Sequence, residues 1–263
     1  MPPIKELHFF DQPFPDKRLL DLLASYDVDP VALNALHTSN YGRALDARDA
    51  EFFSEVRSAG PPRLRGIDGY AKLFAPKGAL LSGELTPGYS VLDDEHIAAL
   101  SAAFPELRVI LLLRDPVARV WSQLCMNVEE GRTAPEPLRD EKRLIWYLKK
   151  PLVEGRSFPS RIATRWRRHF GERLGFFFFD DIVGRPEHAL QAILRHIGAS
   201  AEPGNAPIPV DFNRVAIERT VPKPVATPAI AKLLEEHFRA ERILCAEIFG
   251  GPACAWPART GAS

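Results

Sequence analysis

Two short clusters carry residue types whose spacing could do chemistry. Arg114 closes the apolar run Val109 to Leu113, and the chain continues Asp115-Pro116-Val117-Ala118-Arg119-Val120-Trp121-Ser122. The planar fork of Arg114 suits a phosphate, and Ser122, two turns along a helix, can add a hydroxyl. The same fork can instead pair with a carboxylate while Ser122 faces solvent, so these residues alone leave both readings open. The second cluster is Ile4-Lys5-Glu6-Leu7-His8-Phe9-Phe10-Asp11. Its alternation puts Glu6 and His8 on one face of an extended segment, with Leu7 and Phe9 on the other. A carboxylate beside an imidazole can move a proton. A surface strand with its polar side outward is the alternative.

Both clusters need elements to position them. Val109 to Leu113 predicts a strand buried on both faces of a parallel sheet. Asp115 can then cap a helix that has Pro116 at its first position and Val117, Val120, Trp121 and Leu124 at helical spacing. In open α/β sheets ligands bind at the carboxyl ends of strands, which is where Arg114 stands. Upstream, two short helices broken near Asp29-Pro30, a helical piece around Phe52, Phe53 and Val56, and another from Gly69 to Phe74 read as packing elements. Ala79 to Leu81 reads as a second short strand, turned by Pro87-Gly88. Asp93 to Phe104 predicts a helix, Gly131 to Leu138 a loop and Asp140 to Lys150 a helix with Leu144, Ile145 and Leu148 on one face. Gly155 to Ser160 reads as a flexible segment. Ser160 to Gly171 is a basic helix whose Arg161, Arg165 and Arg168 form either a solvated face or a contact for an anionic acceptor. Leu174 to Asp181 is a third buried strand ending in acids. Pro186 to Ile197 and Thr227 to Phe249 are helices closed by glycines.

Composition narrows the function classes. The chain has 263 residues, which fits a single domain spanning 1–263. Its 34 basic and 34 acidic residues balance, so nothing global favours nucleic acid or an anionic membrane, and any anion site must be local. Cys125, Cys245 and Cys254 lack paired metal-ligand spacing, which points away from a disulfide framework or a zinc site and towards a reducing, cytoplasmic setting. No apolar run approaches the ~20 residues that span a bilayer.

Arg114-Asp-Pro-Val-x-Arg-x-x-Ser122 resembles the 3′-phosphate-binding segment of sulfotransferases that use 3′-phosphoadenosine 5′-phosphosulfate (PAPS), in the branch of bacterial and heparan-sulfate enzymes. Lys-Glu-x-His-Phe-Phe-Asp resembles that branch's amino-terminal signature, and Gly83-Glu-x-Thr-Pro-x-Tyr89 a segment lining its active site. A Trp-x-x-x-Phe helix, an aromatic strand ending in Asp-Asp and a Pro-Glu-x-x-Leu helix follow in the family's order. The resemblance implies a three-layer α/β parallel sheet with flanking helices, related to P-loop kinases. It assigns Arg114 and Ser122 to the 3′-phosphate of PAPS, Glu6 to the general base and His8 to the same site. Asp211 to Arg214 lies where relatives approach the donor, without a role assigned to Arg214. The reaction implied is sulfuryl transfer from PAPS to a hydroxyl or amine of an acceptor such as a carbohydrate, with no metal required.

Two departures accompany the resemblance. Relatives carry a first strand and a Pro-Lys-x-Gly-Thr-Thr loop about two dozen residues before the glutamate signature, and Met1 stands too late for it. The expectation is an amino-terminally truncated domain, through a misplaced start or a true loss, with little transfer activity and an unpaired sheet edge. Several relatives have lysine where this chain has Leu85, and Glu84 and Tyr89 either line the cleft or serve structure. The rival reading is a degenerate, non-catalytic nucleotide- or sugar-binding protein. A nucleotide kinase is disfavoured because no Walker-type loop is visible.

Overall fold

The computed structural model describes residues 6–11, 17–41, 44–58, 66–199 and 224–259. They fall in two compact units, Met1–Pro105 and Glu106–Ser263.

The first unit is helical. Helices α1 (Lys17–Val28) and α2 (Pro30–Tyr41) meet where a proline forbids a continuous helix, followed by α3 (Ala47–Ser58), α4 (Gly66–Leu73) and α5 (Asp94–Ala103). Asp93 caps α5 by accepting from the His96 amide. Leu7, Leu19, Leu23, Phe52, Phe53, Val56 and Leu73 bury one apolar core. Ala79 to Leu81 does not form the expected strand: turns and bends run through Ala79 and Leu80, and both Leu80 and Leu81 are exposed. Three residues with no neighbouring ladder cannot satisfy their backbone as a strand.

The second unit is built on β1 (Val109–Leu113) and β2 (Leu174–Phe178), paired in parallel with Val109 opposite Leu174 and Leu113 opposite Phe178. Among the described residues the sheet has these two strands. The crossover between them carries α6 (Pro116–Glu129), α7 (Glu141–Leu148), α8 (Pro151–Gly155) and α9 (Pro159–Phe170). After β2 come α10 (Phe179–Gly184), α11 (Pro186–His196) and α12 (Pro228–Phe249). One sheet face, with Leu111, Leu113, Phe176 and Phe178, packs on Cys245 and Phe249 of α12 and on Ala253 and Trp256 beyond it. On the other face the His196 ring of α11 sits over Gly175, where an added Cβ would lie 2.8 Å from the imidazole, and His196 Nε2 is 3.0 Å from the Val109 carbonyl oxygen. That cover reaches β1 only at Val109. Ile110 and Leu112 of β1 stay 40% and 46% exposed, so the expectation of a strand buried on both faces holds for one face only.

The principal core joins Val117, Val120, Trp121, Leu124 and Cys125 of α6 to Leu144, Tyr147 and Leu148 of α7 and to Ile230, Leu234 and Phe238 of α12. Ile145, expected on the same apolar face of α7, is 42% exposed, because it falls one position beyond the stripe that Leu144 and Leu148 complete. The segment from Gly155 to Ser160 is pinned rather than loose: Ser157 is buried and donates to the Val153 carbonyl, and the Ser160 amide and hydroxyl both donate to Glu241, each at 2.8 Å. Asp211 to Arg214 lies outside the described residues. No described helix is long and apolar enough to cross a membrane.

Candidate active site

In the first unit, Glu6 to His8 form no strand, and the chain turns through Phe9 to Asp11. His8 is the single non-glycine among the described residues with positive φ, at 52°. That left-handed turn replaces the expected extended alternation, yet it keeps Glu6 and His8 together. His8 Nε2 lies 3.0 Å from Glu6 Oε2, and Nδ1 lies 2.9 and 3.0 Å from the two carboxylate oxygens of Asp11. The His8 side chain is 8% exposed and Glu6 28%, so the imidazole is sequestered while the carboxylate reaches solvent. A neutral imidazole has one N–H and can donate to one carboxylate only. Both contacts become hydrogen bonds when the cluster holds one further proton.

The turn is held from below by the Gly83-to-Tyr89 segment. Glu84 accepts from the Leu7 amide at 3.3 Å, from Tyr70 Oη at 2.6 Å and from Thr86 Oγ1 at 2.9 Å. Tyr89 Oη accepts from the Phe9 amide at 2.8 Å. Phe10 packs against the rings of Tyr70 and Tyr89, with centroids 4.8 and 5.5 Å apart. Burial raises the Glu84 pKa despite the hydroxyls that favour its charge, and burial together with that carboxylate pushes both phenols upward, which keeps them donors. Of the two roles left open for Glu84 and Tyr89, the geometry realises the structural one: they fasten the backbone on either side of His8.

In the second unit, Arg114 follows β1 and Asp115 caps α6, accepting from the Val117 amide at 3.0 Å. Asp115 is also taken by Arg242 of α12, whose Nε and Nη2 donate to it at 3.0 and 2.6 Å with both side chains 3% exposed. Arg114 is half-buried, its guanidinium 4.5 Å from the Phe179 ring centroid. Burial lowers its pKa, with Asp115 and Asp180 pulling the other way. Ser122 is half-buried on α6.

A model of the sulfotransferase family matches residues 9–203. The chain belongs to the sulfotransferase family. The matched stretch contains Arg114 and Ser122 and begins just after Glu6 and His8. A crystal structure of a sulfotransferase from Alicyclobacillus acidocaldarius is similar in fold, with a TM-score of 0.54 and 19% identity over 73% of this chain and 74% of that one. No curated protein sequence matches this sulfotransferase. Sequence reasoning gave no role to Asp11, although it lies within the Lys-Glu-x-His-Phe-Phe-Asp signature; its signal was the i, i+3 spacing from His8, which only a turn makes useful. Tyr70, fourteen residues from Glu84, carried no signal at all.

Proposed function

We propose that this sulfotransferase moves a sulfuryl group from PAPS to a hydroxyl or amine of a small-molecule acceptor, such as a carbohydrate. The observation that supports the reading is the separation of duties at the end of β1: Asp115 is taken by Arg242 and the α6 cap and Asp180 by Arg259, so among the described residues no carboxylate is hydrogen-bonded to Arg114. A flat, partly desolvated guanidinium fits a phosphate monoester, as does the Ser122 hydroxyl farther along α6. Bound PAPS would supply an activated sulfuryl group and a bisphosphate leaving group. Glu6 takes the proton of the acceptor. Its Oε2 is engaged by His8, which leaves Oε1 for the incoming hydroxyl, and Asp11 fixes the tautomer and tilt of His8. The reading also implies a wider, three-layer sheet around β1 and β2. A non-catalytic nucleotide binder is the second reading, favoured by Leu85, 51% exposed where several relatives carry lysine.

Calorimetric titration tests the donor assignment. Adenosine 3′,5′-bisphosphate should bind more tightly than AMP, and Arg114→Ala should weaken the bisphosphate about ten- to a hundredfold, the range for one charge-assisted contact. Equal affinity for the two nucleotides would remove the assignment.

A further inference from the structure

The outward face of α7 holds a large aromatic ring among cations. Trp146 is 61% exposed, whereas Trp121, Trp166 and Trp256 are buried. On a helix the surface neighbours of a residue stand three and four positions away. For Trp146 those positions are Lys142, Arg143, Lys149 and Lys150, all basic. Lys149 caps α7, its amide donating to the Ile145 carbonyl at 3.3 Å, and the Lys150 ammonium lies 4.5 Å from the centroid of the Trp146 ring. Among the described residues no carboxylate pairs with the side chain of any of the four. Asp140 and Glu141 stand at the start of α7, where the Asp140 carboxylate accepts from the Arg143 amide, and Glu154 lies on α8. Aliphatic side chains accompany the ring: Ile145 on α7 and Leu152 on α8 are both exposed, Leu152 by 63%. The opposite face of α7 is committed to the core through Leu144, Tyr147 and Leu148, so packing fixes which side chains point outward.

We propose that this face of α7 docks on an anionic lipid bilayer, with Trp146 and Ile145 entering the headgroup region while Lys142, Arg143, Lys149 and Lys150 meet the negative charges of the lipids. An indole is apolar over its rings and polar at its N–H, which suits it to the boundary between water and acyl chains. The charge complementarity is local. The chain as a whole is neutral, so attraction to an anionic surface has to come from a cluster such as this one. Other anionic partners fit less well. A glycan or a single-stranded nucleic acid would stack on the ring, but Lys150 already covers one of its faces, and neither has a use for exposed Ile145 and Leu152. A stable protein interface buries roughly 800 Å² on each partner, more than one turned-out ring on a two-turn helix provides, whereas a bilayer needs no complementary shape. No described helix is built to cross a membrane, so the contact is peripheral, reversible and weakened by salt. The proposal is independent of the donor reading above.

Flotation of the full chain with vesicles of phosphatidylcholine mixed with phosphatidylserine, beside vesicles of phosphatidylcholine alone, tests this. The mixed vesicles should carry the protein at low salt and release it as salt rises, and pure phosphatidylcholine should carry little. Because the other tryptophans are buried, a blue shift of emission on mixed vesicles, and its quenching by lipids brominated on their acyl chains, should report Trp146. Trp146→Ser should abolish both signals and lower partitioning about tenfold or more, the range for a large apolar side chain left in water. Lys142→Gln combined with Lys149→Gln should lower partitioning about fivefold per charge removed, while the fraction still bound keeps its quenching. All three positions are exposed, so the melting temperatures should match wild type. Absence of flotation with the mixed vesicles would overturn the proposal, as would flotation that all these variants retain in full. A wild type that ignores the vesicles but shifts its Trp146 emission with a soluble anionic polysaccharide would also overturn it and mark a glycan site. So would a wild type that ignores the vesicles and whose sedimenting mass falls in Trp146→Ser, which would mark a contact between copies.

Discussion

At the scale of single residues, the Glu6, His8 and Asp11 cluster sets the sharpest expectations. If Glu6 removes the acceptor proton, Glu6→Gln should lower kcat for labelled-sulfate transfer by ~10²–10⁴-fold with little change in nucleotide affinity, because proton removal matters only in the transition state. Asp11 touches His8 rather than Glu6, which makes it a positioning residue. Asp11→Asn should therefore lower kcat less than Glu6→Gln does and leave nucleotide affinity unchanged, because it acts through the orientation of His8; a loss of rate that only tracks a fall in melting temperature would mean that Asp11 merely supports the turn. The pairing of Glu6 with His8 was legible from their alternation. The positive φ at His8 was not, because a left-handed non-glycine residue is imposed by its surroundings, and here those are the Leu7 and Phe9 amides fastened to Glu84 and Tyr89. Glu84 carries a pH signature of its own. Its folded pKa lies above its ordinary value, so the stability it contributes is full below the unfolded pKa and is lost as pH rises through the folded pKa. Denaturant titrations at pH values from 4 to 8 should show wild type losing stability relative to Glu84→Gln as pH rises, and a constant difference between them would contradict the assigned direction.

At the scale of elements, the strand, turn and helix from Val109 to Glu129 followed from local rules, since the apolar run, the capping Asp115 and Pro116 at the first helical position all act within a few residues. The second partner of Asp115 could not be read in the same way: Arg242 is 127 residues away and meets it only because α12 packs on α6. This pair separates two contributions experimentally. Asn is as good a helix cap as Asp, so Asp115→Asn keeps the Val117 bond and removes only the charge opposite Arg242. Breaking a buried pair by removing one partner costs roughly 3–5 kcal/mol, against ~1 kcal/mol for loss of a cap. Urea unfolding of Asp115→Asn should show the larger loss, and Arg242→Met in the same chain should recover part of it; a loss near the capping value would mean that the pair contributes little. The short strand expected at Ala79 to Leu81 failed for the complementary reason. Strand formation needs a neighbour, and apolar runs of three residues do not specify one.

At the scale of the whole molecule, charge balance and exposed apolar surface act together. Ile110 and Leu112 lie on one face of β1, where the cover provided by α11 ends, and a parallel sheet is normally shielded on both faces. A net charge of zero at pH 7 removes the long-range repulsion that would keep copies apart. The burial pattern along β1 was hidden in the sequence, because Val-Ile-Leu-Leu-Leu is equally apolar at every position and shows no alternation from which an open face could be read. Near neutral pH the chain should associate through this face. Leu112→Lys adds a charge and removes apolar area at an exposed position, so it should reduce the weight-average mass in sedimentation at a given concentration and leave the melting temperature within about 1 kcal/mol equivalent of wild type. If Leu112→Lys sediments like wild type at pH 7 while remaining folded, the open face of β1 is not the surface through which copies meet.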